Sequence, residues 1–566
     1  MNVRVRKMEA IADLDESRPY ILRVVTDGLS KDKAAIFFVM FFNVDDGVVQ
    51  VFVWSGAAKE KKILSEKFHK LDIIGYDLST DLLALSIRGI PLPAKMTDVN
   101  VLSRIRQDKT EPFDIKSHIK KFFKKAEVKW DFKEPEHVKL FCHNIRYIAD
   151  LYIKYRDSIG RGAYTNVDTI EGMITPILTM MRVRGVRINT ELLDTVIQEL
   201  DNDYGIKEKS FQALVSRPEL NIASPKEMSE VLLEVGIPLE TTKTGKYSVS
   251  ADSLRQYSDH AVVQPYLELR SLVTRIGTLS GFKDKISSKG YIHPEYIQVG
   301  ADGTGRIYSH EPSIIGFPVQ HRQVVIPTEG CVFIYFDIHA ADLYVAAKLA
   351  GCKKLIELYE GGEDVHAYIA DGLGHAGNRE ISKVVVYSLI YGSEGAAPAR
   401  SLVIPIEQAQ RLILAFFELF PEIYTHREKV VTEAYHNDGV VKTITGRPRS
   451  IDGLAYAGKE NKTKKSLQTA AERRAYNSVV QGSVADAFKL ILIRLNKVPG
   501  FVPVIPSHDS VTMETPKETP FSTVIHYLRQ VMNIKSPELK FRYKCGMGVN
   551  WLDAHQKAVT IKGGDR

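Results

Sequence analysis

At 566 residues the chain exceeds what one hydrophobic core can organise, and the length predicts three or four domains. A composition of 44% hydrophobic and 26% charged residues excludes a fibrous or largely disordered protein, and the formal charge of +7 favours a polyanionic partner. Four scattered cysteines argue against a zinc site or disulfide framework, and the longest apolar run, residues 34–42, is half a bilayer span, so a soluble intracellular protein without membrane contact is expected.

Residues 1–165 read as α/β. Segments 20–25, 34–44 and 48–54 have strand character, and turn signals at Asp27-Gly28 and Asp45-Asp46-Gly47 separate them. Helical patterns follow at 114–125 and 136–155. From 166 to 300 the chain is mainly helical. Residues 170–184 form an amphipathic helix closed by Gly185, and 190–214 a long one with an interior glycine. Ser224-Pro225-Lys226-Glu227 opens another, with a serine cap, proline first and an acid in the first turn. The polar stretch 241–250, with Lys243 and Lys246, reads as an exposed loop that suits a phosphate backbone.

The stretch from Val332 to Leu343 begins as a short buried strand, delivers Asp337 at its end and turns helical after it. Taken alone, Asp337 reads more readily as a helix cap than as a metal ligand. A second apolar segment, 501–506, leads into Ser507-His508-Asp509-Ser510 and then Val511 to Glu514, a hairpin with an aspartate near its turn. Two strand-borne aspartates far apart in sequence can converge on one metal pair, as two-metal phosphoryl transfer requires.

Between them lies Arg379-Glu-Ile-Ser-Lys383-Val-Val-Val-Tyr387-Ser-Leu-Ile-Tyr391-Gly392. Four-residue spacing places Arg379, Lys383, Tyr387 and Tyr391 on one helix face, cationic at its start and aromatic at its end. A nucleoside triphosphate has that same order, phosphates and then a flat base. The run Val384-Val385-Val386 argues weakly for a strand instead. Farther on, a helix from Glu472 to Leu495 aligns Arg473, Asn477 and Gln481, a set suited to groove-edge recognition.

Taken together and in this order, these motifs resemble the A-family DNA polymerases, the group of bacterial DNA polymerase I and its phage relatives. The likeness covers residues 170–555 and includes Thr304-Gly305-Arg306, Asp364-Val365-His366 and the ending Gly548-Val549-Asn550-Trp551 with Ala554-His555. It implies a right-hand α/β multidomain fold: an exonuclease-like unit at 1–165, thumb at 166–300, palm at 301–345 and 441–566, and fingers at 346–440. It implies a catalytic Asp337 and Asp509 holding two Mg²⁺ ions, for which Mn²⁺ can substitute. Arg379, Lys383 and His366 would grip the triphosphate, with Lys383 donating a proton to the departing group. Tyr387 would pack on the incoming nucleoside, Tyr391 would shape the template-base pocket, and Asp342 would lie at the sugar. Arg306, Arg473, Asn477, Gln481 and His508 would hold the primer–template end, and replication accessory proteins are conceivable partners.

The chain departs from the family in two places. In the N-terminal unit Arg23-Val24-Val25 stands where the proofreading site needs Asp-x-Glu. Asp81 is kept, Asp77 replaces an asparagine, and Phe141 and Ile145 replace the Tyr and Asp. An arginine in place of a carboxylate cannot hold a cation, so the exonuclease is expected to be inactive. In the polymerase site Asp342 replaces the usual Glu, and His508-Asp509 is followed by Ser510 rather than Glu, a pattern of single-subunit RNA polymerases. DNA synthesis is the leading expectation. A single-subunit RNA polymerase or primer-making enzyme comes second, and a non-catalytic primer–template binding protein third.

Overall fold

The computed structural model describes residues 2–26, 36–93, 95–106, 135–156, 165–242, 245–300, 304–390, 395–454, 462–535 and 538–561. Near the N-terminus six strands form a mixed sheet in the order β1-β4-β3-β2-β5-β6. They are β1 (Asn2–Arg6), β2 (Pro19–Thr26), β3 (Ile36–Asn43), β4 (Val48–Val53), β5 (Asp72–Gly75) and β6 (Lys95–Asp98). β3 is apolar almost throughout because both sheet faces are covered. Alternate residues serve opposite cores. Leu22, Val24, Val39 and Phe41 pack with Leu78 and Leu82 of α1 (Leu78–Ser86) on one face. Ile21, Val25, Met40 and Phe42 pack with Ile145 and Ile148 of α2 (Pro135–Arg156) on the other. The expected strands at 20–25, 34–44 and 48–54 are therefore present, whereas β1, β5 and β6 were not foreseen. The helix expected at 114–125 and the turn at Asp27-Gly28 lie outside the described residues.

The next segment is helical, as expected. α3 (Thr165–Arg184) stops at Gly185, which takes φ 75°, and α4 (Thr190–Leu214) runs unbroken through Gly205. In α5 (Pro225–Glu234) the Ser224 hydroxyl accepts from the Glu227 amide at 3.4 Å and proline occupies the first turn. α4 packs along α6 (Val263–Lys283). The outer end of this pair has a small core of its own around Phe211, Met228, Leu232 and Tyr266. The inner end, through Leu193, Val196, Leu279 and Phe282, joins the main core of the molecule.

That main core lies on a five-stranded antiparallel sheet. Its central strand is β7 (Cys331–Ile338), flanked by β9 (Ser510–Pro516) with β8 (Val502–Ser507) on one side, and by β10 (Tyr543–Gly548) with β11 (Val559–Ile561) on the other. Phe333, Ile334 and Phe336 of β7 are fully buried. The chain between β7 and β8 supplies helices, among them α7 (Ala341–Ala350), α8 (Val365–Gly372), α9 (Arg379–Ile390) and the long α10 (Lys462–Leu495). The valine run 384–386 is helical, not a strand. Val385 and Val386 are 0% and 2% exposed, and their packing outweighs a weak intrinsic preference. No helix among the described residues is long and apolar enough to cross a membrane.

Candidate active site

β7 carries Asp337 to the rim of the central sheet, where it sits opposite Ser510 of β9 on one side and Lys544 of β10 on the other. The connection between β8 and β9 is only His508-Asp509, and His508 takes φ 54° to close so tight a hairpin. The Asp509 carbonyl accepts from the Ile338 amide at 3.1 Å, which sets the turn beside the end of β7. Asp337 is not a helix cap: α7 is entered through Ala340, at φ 47°, with no side-chain cap. Burial raises the Asp337 carboxyl to about 6, against the opposing effect of Lys544. Burial raises Asp509 to about 7, with Asp337 and Asp342 adding repulsion. Two mutually repelling buried carboxylates, hard oxygen donors on a rigid sheet edge, fit a divalent cation. Among the described residues no group of three or more His, Cys, Asp or Glu is placed to hold a metal ion.

The carboxylates open into a cleft of about 350 Å³ whose far wall is α9. Its lining brings together Asp337, Asp342, His366, Arg379, Lys383, Tyr387 and Asp509, residues drawn from four separate stretches of sequence. The four-residue spacing on α9 turns Arg379, Lys383 and Tyr387 into the cleft, while Ser382, Val385 and Leu389 face the core. Tyr391 and Gly392 lie outside the described residues. Arg379 Nε is 2.8 Å from Asp364, whose carboxylate also caps α8 by accepting from the Ala367 amide at 3.1 Å. Lys383 Nζ is 2.6 Å from Glu380. His366 is buried, with Nδ1 3.0 Å from Ser382 Oγ. Burial and the nearby Arg379 charge push its pKa down to about 4, so the ring is neutral at neutral pH.

Asp342, in the first turn of α7, is held from outside the cleft by Arg306, with Nη2 3.7 Å from Oδ2, while its Oδ1 has no hydrogen-bond partner among the described residues. Burial raises its pKa against the effect of Arg306. Arg306 is set in place by its neighbour. Gly305 takes φ 78°, and a Cβ there would lie 2.8 Å from Arg447 Nε. Arg447 cannot retreat, because its guanidinium is shared between Asp486, at 2.6 Å and 2.8 Å, and Glu171, which also binds Lys489. All four charges are at most 2% exposed. Gly482 of α10 lies against the Thr304 carbonyl, so Arg473, Asn477 and Gln481 ride on a helix adjoining this segment, outside the cleft lining. Among the described residues Asn477 Oδ1 and Gln481 Nε2 are buried without a hydrogen-bond partner. His508 also stays outside the cleft, its ring edge-on to Tyr308. His339, Lys544 and Thr560 line the cleft and were not singled out from the sequence. A lone lysine within the strand Tyr543–Gly548 was the one signal available, and it bears on Lys544 alone.

In the N-terminal sheet Asp81 is 3% exposed and fully engaged. Oδ2 is 3.0 Å from Arg23 Nη1, and Oδ1 accepts from the Val24 amide at 2.9 Å. Arg23 also donates to the Tyr76 carbonyl, and Ile145 is fully buried. Asp77 accepts from Asn100 at 2.5 Å. The side chain at Phe141 is outside the described residues.

DNA polymerase I, thermostable, of Thermus aquaticus is 29% identical over 410 residues, 68% of this chain and 48% of the relative. DNA polymerase I of Lactococcus lactis is 27% identical over 539 residues, 88% and 60% respectively. The chain spans about half the length of the curated relatives it matches. The solved POL domain of Pol1 from M. smegmatis, in complex with DNA primer-template and dNTP, has the same fold. Its TM-score is 0.84 over 98% of this chain and 100% of that one, at 21% identity. The sequence model of DNA polymerase family A matches residues 190–553, which hold both carboxylates, the cleft helix and, of the buried charge cluster beneath Gly305, Arg447, Asp486 and Lys489. On that match, which takes in well over half of its residues, the chain belongs to DNA polymerase family A.

Proposed function

We propose that this chain is a template-directed DNA polymerase that extends a primer 3′-hydroxyl with deoxynucleoside triphosphates and lacks 3′–5′ proofreading. The observation that carries the reading is the single cleft in which one carboxylate from a strand and one from a hairpin turn face a helix graded from cation to aromatic ring. Asp337 and Asp509 would hold two Mg²⁺ ions, which when bound favour loss of the attacking hydroxyl proton and neutralise charge on the triphosphate and departing pyrophosphate. Arg379, Lys383 and neutral His366 bind and orient the phosphates, and Lys383 gives a proton to the leaving group. Tyr387 packs on the nucleoside, Tyr391 shapes the template-base pocket, and Asp342 polices the sugar with Arg306 behind it. Arg473, Asn477, Gln481 and His508 hold the primer–template end. In this reading residues 166–300, with α4 to α6, are the thumb, residues 346–440 the fingers, and residues 301–345 and 441–566, which include the five-stranded sheet, the palm. The enzyme works as a cytoplasmic monomer. Loss of proofreading is supported by Arg23, a fixed cation bound to the one carboxylate kept from that site.

A second reading, ribonucleotide polymerisation, is favoured by Ser510 beside Asp509 and by the short Asp342. Primer extension with dNTPs or rNTPs supplied separately decides between the two. The expected result is extension with dNTPs, abolished in Asp337→Ala and Asp509→Ala while both variants still bind primer–template. Binding should persist because it comes from dispersed phosphate contacts. Synthesis near the parent rate in either variant would refute the metal assignment, and preferential use of rNTPs would favour the second reading.

A further inference from the structure

His366 and Ser382 tie the first turn of α8 to the buried face of α9. Ser382 is 0% exposed, and its hydroxyl has one hydrogen-bond partner among the described residues, His366 Nδ1 at 3.0 Å. Other buried hydroxyls on helices of this protein, those of Thr175, Thr179 and Ser483, donate to the carbonyl one turn back. Ser382 makes no such bond to Asn378. If the imidazole donated from Nδ1, the serine proton would be left without an acceptor where water does not reach, a costly arrangement for a hydroxyl. The proton therefore lies on Oγ and points at Nδ1.

A neutral imidazole carries one N–H, and the partner of one nitrogen decides where it sits. With Nδ1 accepting from Ser382, the proton resides on Nε2, the nitrogen left for the cleft that His366 lines. The opposite tautomer would present a lone pair to an anionic ligand. We propose that Ser382 is a positioning residue for the incoming triphosphate, holding His366 in the Nε2–H tautomer so that the neutral ring donates to a phosphate oxygen. The inference rests on the reading of this cleft as a triphosphate site.

The test uses the full chain. Nitrogen-15 NMR of labelled histidine, with the His366 signal identified by its loss in His366→Ala, should show a protonated Nε2 and bare Nδ1 in the parent. A mixed or reversed tautomer is expected in Ser382→Ala. Binding of matched dNTP to the complex with a dideoxy-terminated primer–template should weaken about tenfold in Ser382→Ala, the worth of one hydrogen bond to a charged group. His366→Ala should lose at least as much, and the double variant no more than His366→Ala alone. Ser382→Cys, which keeps the volume with a weaker donor, should fall between parent and alanine. An Nδ1–H ring in the parent would overturn the proposal. So would unchanged dNTP affinity in Ser382→Ala when His366→Ala is impaired. Unchanged affinity in His366→Ala would instead refute the triphosphate role of the histidine, and the tautomer measurement would still judge Ser382.

Discussion

Replacing Arg23 by leucine tests whether the N-terminal sheet depends on a fixed cation. Asp81 is raised by burial to about 6 even with Arg23 beside it. The folded protein therefore holds this proton more tightly than the unfolded chain. The group's contribution to stability is full below its ordinary value of 3.8 and falls as pH rises toward 6. Without the guanidinium the carboxyl keeps one partner, the Val24 amide, and takes up a proton rather than remain charged. What Arg23 supplies is then the free energy of ionisation gained above pH 6, about 1.4 kcal/mol per pH unit. The expected loss in Arg23→Leu is about 2–3 kcal/mol at pH 8 and close to nothing at pH 5.5. For a unit of this size that is a melting shift of about 5–10 °C at pH 8. Calorimetry of the full chain at both pH values, following the transition that the substitution moves, measures it. Arg23→Leu combined with Asp81→Asn should show no such pH dependence. A loss of equal size at pH 5.5 and pH 8 would refute the electrostatic argument and leave Arg23 as packing.

Two further substitutions probe the polymerase site. Gly305→Ala puts a Cβ 2.8 Å from Arg447 Nε in a left-handed backbone, and since Arg447 is clamped the displacement must fall on Arg306. Single-nucleotide incorporation should drop by about tenfold or more in kcat/KM, and an unaltered value would show that Arg306 needs no such seat. Asp342→Glu adds one methylene to a carboxylate that lines the cleft, whose open volume gives it room to grow. The parent should incorporate ribonucleotides detectably, discriminating by only about 10²-fold as a tolerant pocket does, and the Glu variant should exclude them more tightly. Strong exclusion by the parent, unchanged in the variant, would place sugar selection elsewhere.

The features legible in the sequence are those whose partners lie within one element or one turn. The strand ending at Asp337, the hairpin at His508-Asp509 and the cleft face of α9 were all readable, because period and turn chemistry are local. The Ser224 cap and the Gly185 stop were readable for the same reason. What stayed hidden is pairing across the chain. Glu171, Arg447, Asp486 and Lys489 form one buried cluster, yet nothing in the neighbourhood of any one of them names the other three. Lys544 enters the cleft only through its register opposite Asp337, and Ser382 through its bond to His366. The strand β1 escaped notice because charged residues alternate with its valines at an exposed sheet edge.

The register of the central sheet also dictates when the site can exist. Asp337 pairs with Ser510 and Lys544, so β7 is synthesised about 170 residues before β9 and about 210 before β10. At ribosomal rates of about 5–20 residues per second the strand waits about 10–40 s for its partners. During that time Phe333, Ile334 and Phe336, all fully buried in the finished protein, have no sheet to enter. The wait costs little at equilibrium, since closing a 170-residue loop rather than a 20-residue one adds only about 2 kcal/mol of chain entropy. Its cost is kinetic: a sticky, unpaired central strand is open to aggregation and to chaperones for about a third of the chain's elongation. Slowing translation ahead of the hairpin should therefore lower the yield of soluble protein without changing the stability of the molecules that do fold.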